Sequence, residues 1–449
     1  MNKPFVLKIA GMLVLITIMS IAVSYINGII SERERNQLIV QQDIAKSSVR
    51  AQKILGPVLA IPYVEEYTDY VNEMSLIGEK IHKPVNKRRS SVAYFLPENI
   101  TLDGDFDTEY KERGIYKALM YQLHGSIKGS FHLPANLNIK PEHKNGVIKF
   151  KSAYIGFGIS DTRGITGKPS FSFDKKSYKF KQGSNIKALG NGIHASIGQL
   201  DTVVAQSLPF EFKLNLRGME KFSFSPLAES NSINLQSSWQ HPSFNGNFLP
   251  ISKEIGEAGF TGNWSVSSLS TSNQAKFIKS LNQREQLTTG LETLAINFIE
   301  PINVYSQADR ATKYGLLFIG LTFVGFFLFE MLKQLRIHPA QYTLVGLAMA
   351  MFYLLLVSFS EVIGFALAYL AASASCVLLL GYYLSSVLKS TANGLLFASF
   401  LTALYGALYA ILASEDNALI MGSLLVFGLL SATMVVTRKI DWYEINPQK

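Results

Sequence analysis

The sequence predicts a membrane protein in two parts: an all-β exported domain, sandwich-like and in one lobe or two, and about six transmembrane α-helices in total. Three observations carry this. Apolar residues make up 48% of the 449-residue chain and charged residues 17%, which is more apolar and less charged than a typical soluble protein. The apolar residues gather at Phe5–Ile30 and again after Tyr314. Between these regions the chain reads as short alternating runs, such as Phe210-Glu-Phe-Lys-Leu-Asn-Leu216 and Lys221-Phe-Ser-Phe-Ser225, broken by Gly, Pro, Asn, Asp and Ser. That is the pattern of half-buried strands. Composition thus divides the chain into an N-terminal anchor (1–30), an exported β-rich domain (31–312) and a bundle of about five further helices (313–449).

A helix crosses the hydrocarbon core with about 20 apolar residues. Phe5–Ile30 meets that need, as do Tyr314–Met331, Gln341–Phe359, Val362–Leu384, Gly394–Ala413 and Ala418–Val436. Charges between them set the orientation. Lys3 and Lys8 open the first segment, Lys333 and Arg336 follow the second, Lys389 follows the fourth, and Arg438 and Lys439 follow the sixth. The alternate short loops carry Glu361, or Glu415 and Asp416, without Lys or Arg. By the positive-inside rule both termini are cytoplasmic and residues 31–312 lie outside. Ala22-Val-Ser24 resembles a signal-peptidase site, but an apolar run of this length reads better as an uncleaved anchor.

After the anchor, Ser31–Arg50 mixes Glu, Arg, Gln and Ala and reads as a helix that Gly56-Pro57 stops, with the first strand starting at Val58. The single cysteine, Cys376, lies in an apolar run, so no internal disulfide forms and the β domain depends on core packing alone. A faint echo links Gly129-Ser-Phe131-His-Leu-Pro134 to Gly246-Asn-Phe248-Leu-Pro250. Either a duplicated lobe or shared turn chemistry accounts for it.

No catalytic constellation emerges. His82, His124, His132, His143, His194, His241 and His338 form no HxH or HxxxH pair, so no metal or other cofactor is indicated. Nucleophile elbows and phosphate loops are missing, and the apolar helices hold no His to serve as a base. The chain reads as a non-enzyme. Glu330 and Glu361 fall at the ends of apolar segments, where carboxylates reach water, rather than at midspan where an ion-coupled transporter carries them. Glu330 is expected to pair locally with Lys333, Arg336 or His338. Pro339 suits the first turn of the next helix, and Gln341 follows it. Trp239 and His241 sit in a turn-rich, aromatic stretch that serves as a contact loop or as a packed connection. Small residues four apart, including Gly346 with Ala350 and Gly406 with Ala410, suit close helix packing in lipid. Lys87-Arg88-Arg89 and the Lys-rich run from 140 to 187 offer basic surface to an anionic lipid or polymer. Nucleic acid is not a partner outside the membrane.

These segments also resemble the CreD family of bacterial inner-membrane proteins. The likeness rests on Leu317–Phe323, Phe327-Leu-Phe-Glu330, Arg336-Ile-His338-Pro339-Ala-Gln341-Tyr342 through Gly346, Phe352–Glu361, Arg113–Tyr116, Ser160–Gly164 and Trp239–Pro250, and it extends over essentially the whole chain. It implies a Gram-negative inner-membrane protein with a periplasmic domain, linked to envelope integrity and stress response, and it brings no catalytic residue or cofactor with it. Two functions follow as expectations. One is an envelope-integrity factor whose periplasmic domain binds an envelope polymer, lipid or membrane-protein partner. The other is a transporter or lipid-handling protein built on the bundle. Glu330, Arg336, His338, Gln341, Glu361, Trp239 and His241 are the candidate contact residues.

Overall fold

The computed structural model describes residues 3–74, 80–283, 285–286, 290–298, 303–333, 337–414 and 418–438. The chain divides into two compact units, Met1–Ile39 with Ile302–Lys449, and Val40–Pro301. The division falls within α1 (Lys3–Ser47), one unbroken helix. The sequence ended the anchor at residue 30 and read Ser31–Arg50 as a helix rising from the membrane. With no Pro or Gly from Ser31 to Ser47, nothing interrupts the backbone ladder there.

The second unit is a sandwich of two sheets. The larger has nine strands among the described residues. Its order is β14 (Pro242–Gly246), β17 (Leu294–Phe298), β12 (Lys221–Ser225), β1 (Gln52–Met74), β6 (Ala153–Ile159), β10 (Gly192–Gly198) and β9 (Phe180–Gln182), with β2 (Lys80–Phe95) and β5 (Val147–Phe150) also paired to β1. The smaller has eight, in the order β15 (Ser252–Gly256), β16 (Gly259–Ser267), β13 (Ser230–Ser237), β3 (Asn99–Arg113), β4 (Tyr116–Leu133), β11 (Gln206–Met219), β7 (Ile165–Phe173) and β8 (Lys176–Tyr178). Alternation does what it promised: Phe210, Phe212, Leu214 and Leu216 point inward and are buried, while Lys213 and Asn215 between them are exposed. Phe157 and Phe222 from one sheet and Phe106, Phe131 and Phe212 from the other belong to a single buried cluster. Each such side chain contributes about 1.5–3 kcal/mol on burial. One core rules out two lobes. The two halves of the sequence echo differ in structure: Gly129 lies within β4, whereas Gly246 ends β14 at φ +95°.

Two departures from the expected β domain are local. Gly56-Pro57 lies inside β1, where the register against β6 shifts between Leu55 and Val58. A β-bulge accommodates there what the sequence suggested as a stop. A helix, α2 (Asn273–Gln283), lays Phe277 over Leu55, Val58 and Ala60 on the outer face of the larger sheet.

The C-terminal end of α1 is fastened to the sandwich by Arg163. Its guanidinium donates to Asp161 Oδ1 through Nε (2.9 Å) and to Asp161 Oδ2 through Nη2 (2.6 Å), and Nη1 donates to the Lys46 carbonyl (2.6 Å). A planar fork thus spans a carboxylate and a helix terminus that would otherwise leave carbonyls unpaired. The hydrogen bond from Arg163 holds the Asp161 carboxyl below its ordinary value of 3.8, with burial opposing and the amide of Arg50 assisting. A carboxyl depressed on folding stabilises the native state above its unfolded pKa, and that gain is lost as pH falls through the folded value. Asp161→Asn should therefore lower the unfolding midpoint relative to wild type at pH 7. The gap should narrow below pH 4, as followed by thermal melts across a pH series. A gap independent of pH would show that the carboxylate charge is not what matters.

In the other unit, α3 (Val304–Lys313) and α4 (Gly315–Leu332) form a bent pair, and α5 (Pro339–Ile363), α6 (Phe365–Val387), α7 (Thr391–Ala413) and α8 (Ala418–Thr437) follow. Four helices among the described residues are long and apolar enough to cross a membrane: α1 from Ala10 onward, α5, α6 and α7. The bent pair, with 43° between its members, makes five, and α8 holds a shorter apolar stretch, Ile420–Val435. Within the bundle α1 buries Met19, Val23, Ile26 and Ile30, four positions on one helical face. Gly346 of α5 faces Met19 and Phe323 so closely that an added Cβ would meet each at 2.9 Å, whereas Gly406 faces open space.

Candidate functional site

The loop from α4 to α5 gathers its candidates around Glu330. This carboxylate lies on the last turn of α4, and its side chain is 5% exposed. Oε1 accepts from the Lys8 ammonium and from the amide of Ile337 (3.0 Å), and Oε2 accepts from the Tyr342 hydroxyl (2.9 Å). Among the described residues Lys8, and neither Lys333 nor His338, is the cation paired with Glu330. The reason is geometric. α1 runs past the end of α4 and brings Lys8 to the carboxylate, whereas His338 is occupied with its own helix. The His338 amide donates to Gln341 Oε1 (3.0 Å), and His338 Nδ1 accepts from the Ala340 amide (3.2 Å). With Pro339 at the first helical position, this forms a capping box at the start of α5. Acceptance at Nδ1 requires that nitrogen to be unprotonated. Arg336 lies outside the described residues.

Glu361 is at the opposite end of α5, on its last turn and not in a loop, because α5 runs on to Ile363 and turns at Gly364 (φ +78°). The Tyr305 hydroxyl donates to Glu361 Oε1 (3.0 Å), and Arg33 of α1 lies 3.8 Å from the same oxygen. Beside them Asn303 caps α3 and donates to Gln37 Oε1 (3.2 Å). α1 is thus held by an ion pair near each end of its apolar stretch. Lys8 and Arg33 are twenty-five residues apart, roughly 37 Å along the axis at 1.5 Å per residue. A hydrocarbon core about 30 Å thick fits between them. Both carboxylates are therefore satisfied, and they tie α1 to α4 and α5.

On the sandwich, the Trp239 indole donates to the carbonyl of His241 (3.1 Å) and its ring packs edge-on against Tyr110 (6.3 Å). His241 is exposed. The basic cluster on β2 is paired: Lys87 with Asp69 (2.7 Å) and Arg88 with Glu66 (3.2 Å) across the hairpin, and Arg89 with Glu142 of the segment before β5. A polar trough went unnoticed in the sequence. It has a volume of ≈ 720 Å³ on the outward face of the smaller sheet and includes Asp103, Asp105, His124, Lys213, Asn215 and Asn234. There His124 Nδ1 meets Asn215 Oδ1 (3.0 Å) and Nε2 meets Asp107 Oδ2 (3.2 Å). Alternation alone marks these positions as outward, but only strand register brings them together.

The family model described as "Inner membrane protein CreD" matches residues 4–443. This chain belongs to the CreD family. It is 33% identical over 456 residues to inner membrane protein CreD of Escherichia coli strain K12, a match covering 100% of this chain and 96% of that one. As a member of CreD it is a multi-pass inner-membrane protein, and the β domain and apolar helices described above are the CreD architecture in this chain. Among solved structures, a candidate nutrient-binding protein from Legionella pneumophila aligns over 51% of this chain and 74% of its own at 7% identity. The TM-score of 0.25 is too low to carry any argument.

Proposed function

We propose that this protein is a non-enzymatic envelope-integrity factor of the inner membrane, whose β-sandwich lies in the periplasm and binds an envelope component there while the bundle anchors it. The observation that carries this reading is where the polar chemistry lies. In the bundle Glu330 and Glu361 are satisfied by partners near the two ends of α1's apolar stretch, so neither serves as a midspan coupling site. The sandwich instead presents an open polar trough of ≈ 720 Å³. The reading also holds both termini in the cytoplasm, from the basic short loops on one side.

A lipid-handling role is supported by one feature, an apolar groove of ≈ 690 Å³ between α6 and α7 that includes Tyr369, Ser373, Thr402 and Gly406. Reporter fusions after Lys389 and after Ser414 decide the orientation. The first should report cytoplasm and the second periplasm, and the same compartment for both would remove the periplasmic sandwich on which the reading rests.

A further inference from the structure

The outward face of the eight-stranded sheet has an unusual composition. Across six strands, register lines up Ser252, Asn263, Asn234, Asp103, Ser126 and Lys213 in one row. The next row is Glu254, Thr261, Gln236, Asp105, His124 and Asn215. None of the twelve is Val, Ile, Leu, Met, Phe, Tyr or Trp, and most are short amides, carboxylates or hydroxyls. Solubility alone does not ask for this. A solvated strand face is served by Thr or by long charged side chains, whereas Asn, Asp and Ser-rich faces work against strand propensity. The cost is repeated on adjacent strands, which points to a use for these groups. Short side chains also leave the face low: the trough of ≈ 720 Å³ adjoins a second depression of ≈ 510 Å³, and the two share Asp105, Gln236 and Thr261.

We infer that these two rows form a binding lane for an extended polysaccharide, one that runs across the strands with about one sugar ring per strand. This rests on the reading that the sandwich binds an envelope component, and it names the class. Strands lie about 4.8 Å apart, close to the length of one pyranose in an extended chain, so successive rings meet equivalent pairs of side chains. Amides and carboxylates at each step offer the paired donors and acceptors that vicinal hydroxyls satisfy. Charge selects against the alternatives. The whole chain carries +9, yet along this lane Asp103, Asp105 and Glu254 outnumber Lys213, so polyphosphates and anionic lipid headgroups are disfavoured while hydroxyl donors are attracted. Asn234 Nδ2 already donates to Asp103 Oδ1 (2.9 Å), and Asn263 Nδ2 to Ser252 Oγ (3.0 Å), which fixes the amides in the plane of the face.

The test uses full-length protein in nanodiscs, with neutral glycan strands (N-acetylated chitooligosaccharides) as the probe and calorimetry as the readout. Saturable binding is expected. The triple variant Asp105→Ala, Asn234→Ala, Asn263→Ala, all exposed positions, should bind at least tenfold more weakly at an unchanged melting temperature. Lys151→Ala with Lys181→Ala, exposed positions outside the lane, should bind like wild type. Absence of glycan binding, or equal binding by the triple variant, overturns the lane. Preference for lipopolysaccharide aggregates over glycan strands overturns it too, because the lane's charge disfavours that order. Photo-crosslinkers placed at Asn234 and Gln236 in cells separate this inference from the broader one. Crosslinks to an envelope protein, without glycan binding, sink the lane and leave the envelope-binding reading standing, whereas no crosslink and no glycan binding sink both.

Discussion

Replacing Glu330 with Ala should destabilise the bundle by about 2–3 kcal/mol, less than the full range for removing one partner of a buried ion pair, because Lys8 is 32% exposed and keeps part of its hydration. The carboxylate is nearly enclosed and serves three donors at once, the ammonium of Lys8, the hydroxyl of Tyr342 and the amide of Ile337. Ala strands the hydroxyl and the amide and removes the counter-charge of the part-exposed Lys8. The Tyr342 ring is packed against Phe323 and Phe326 (centroids 5.7 and 4.7 Å away) and cannot swing out to water without disturbing them. Glu330→Gln keeps an acceptor for Tyr342 and Ile337 while losing the charge, so its effect should be intermediate. Lys8→Met combined with Glu330→Leu should recover part of the loss, since matched apolar replacement of a buried pair is often close to neutral. Thermal unfolding in detergent, together with abundance in membranes, reads all three. A wild-type midpoint for Glu330→Ala would mean that the pin does not hold α1.

That site shows how far the sequence could be read. Its residue types and its place at a helix end were legible, and so were Pro339 at the first helical position and Gln341 beside it. The partner was not. Lys8 and Glu330 are separated by 322 positions, and short-range charge reasoning favours Lys333 or His338, which lie within one loop of Glu330. Only the packing of α1 along α4 and α5 brings in Lys8, and its sequence signal is a lone Lys opposite a lone Glu at the ends of two apolar runs. The same holds for Glu361, whose partners Tyr305 and Arg33 come from two other helices. In the β domain the alternating runs gave the strands and the inward Phe residues. They could not give the order of strands, and a lane across six of them exists only once that order is known. Gly56-Pro57 misled because the local signal for a helix stop is also tolerated at a bulge. The helix end is set elsewhere, by Arg163 and Asp161 more than a hundred residues on.

The buried amide of Asn231 should prove at least as costly to remove as Glu330. Asn231 is fully buried at the start of β13, facing inward beside Ile233 and Leu235. Its Oδ1 accepts from the amide of Ala228 (3.1 Å), and its Nδ2 donates to the carbonyls of Ala228 (2.8 Å) and Val266 (3.0 Å). One side chain thus closes the turn into β13 and ties it to the end of β16. Asn231→Ala leaves one amide and two carbonyls unpaired without access to water. At about 1–3 kcal/mol for each group so stranded, a loss on the order of 3 kcal/mol or more is expected. Asn231→Asp should do no better, because it keeps the acceptor for Ala228 but turns a carboxylate oxygen toward two carbonyl oxygens. Asn234→Ala, three residues along the same strand but exposed, should change stability by no more than about 0.5 kcal/mol. The contrast matters for function because β13 carries Asn234 and Gln236 into the polar lane. Asn231 variants should lose glycan binding only together with the fold, and Asn234 variants while the fold persists. Chemical denaturation of the full chain, followed by tryptophan fluorescence, measures both. Equal midpoints for Asn231→Ala and Asn234→Ala would show that the buried amide holds nothing in place.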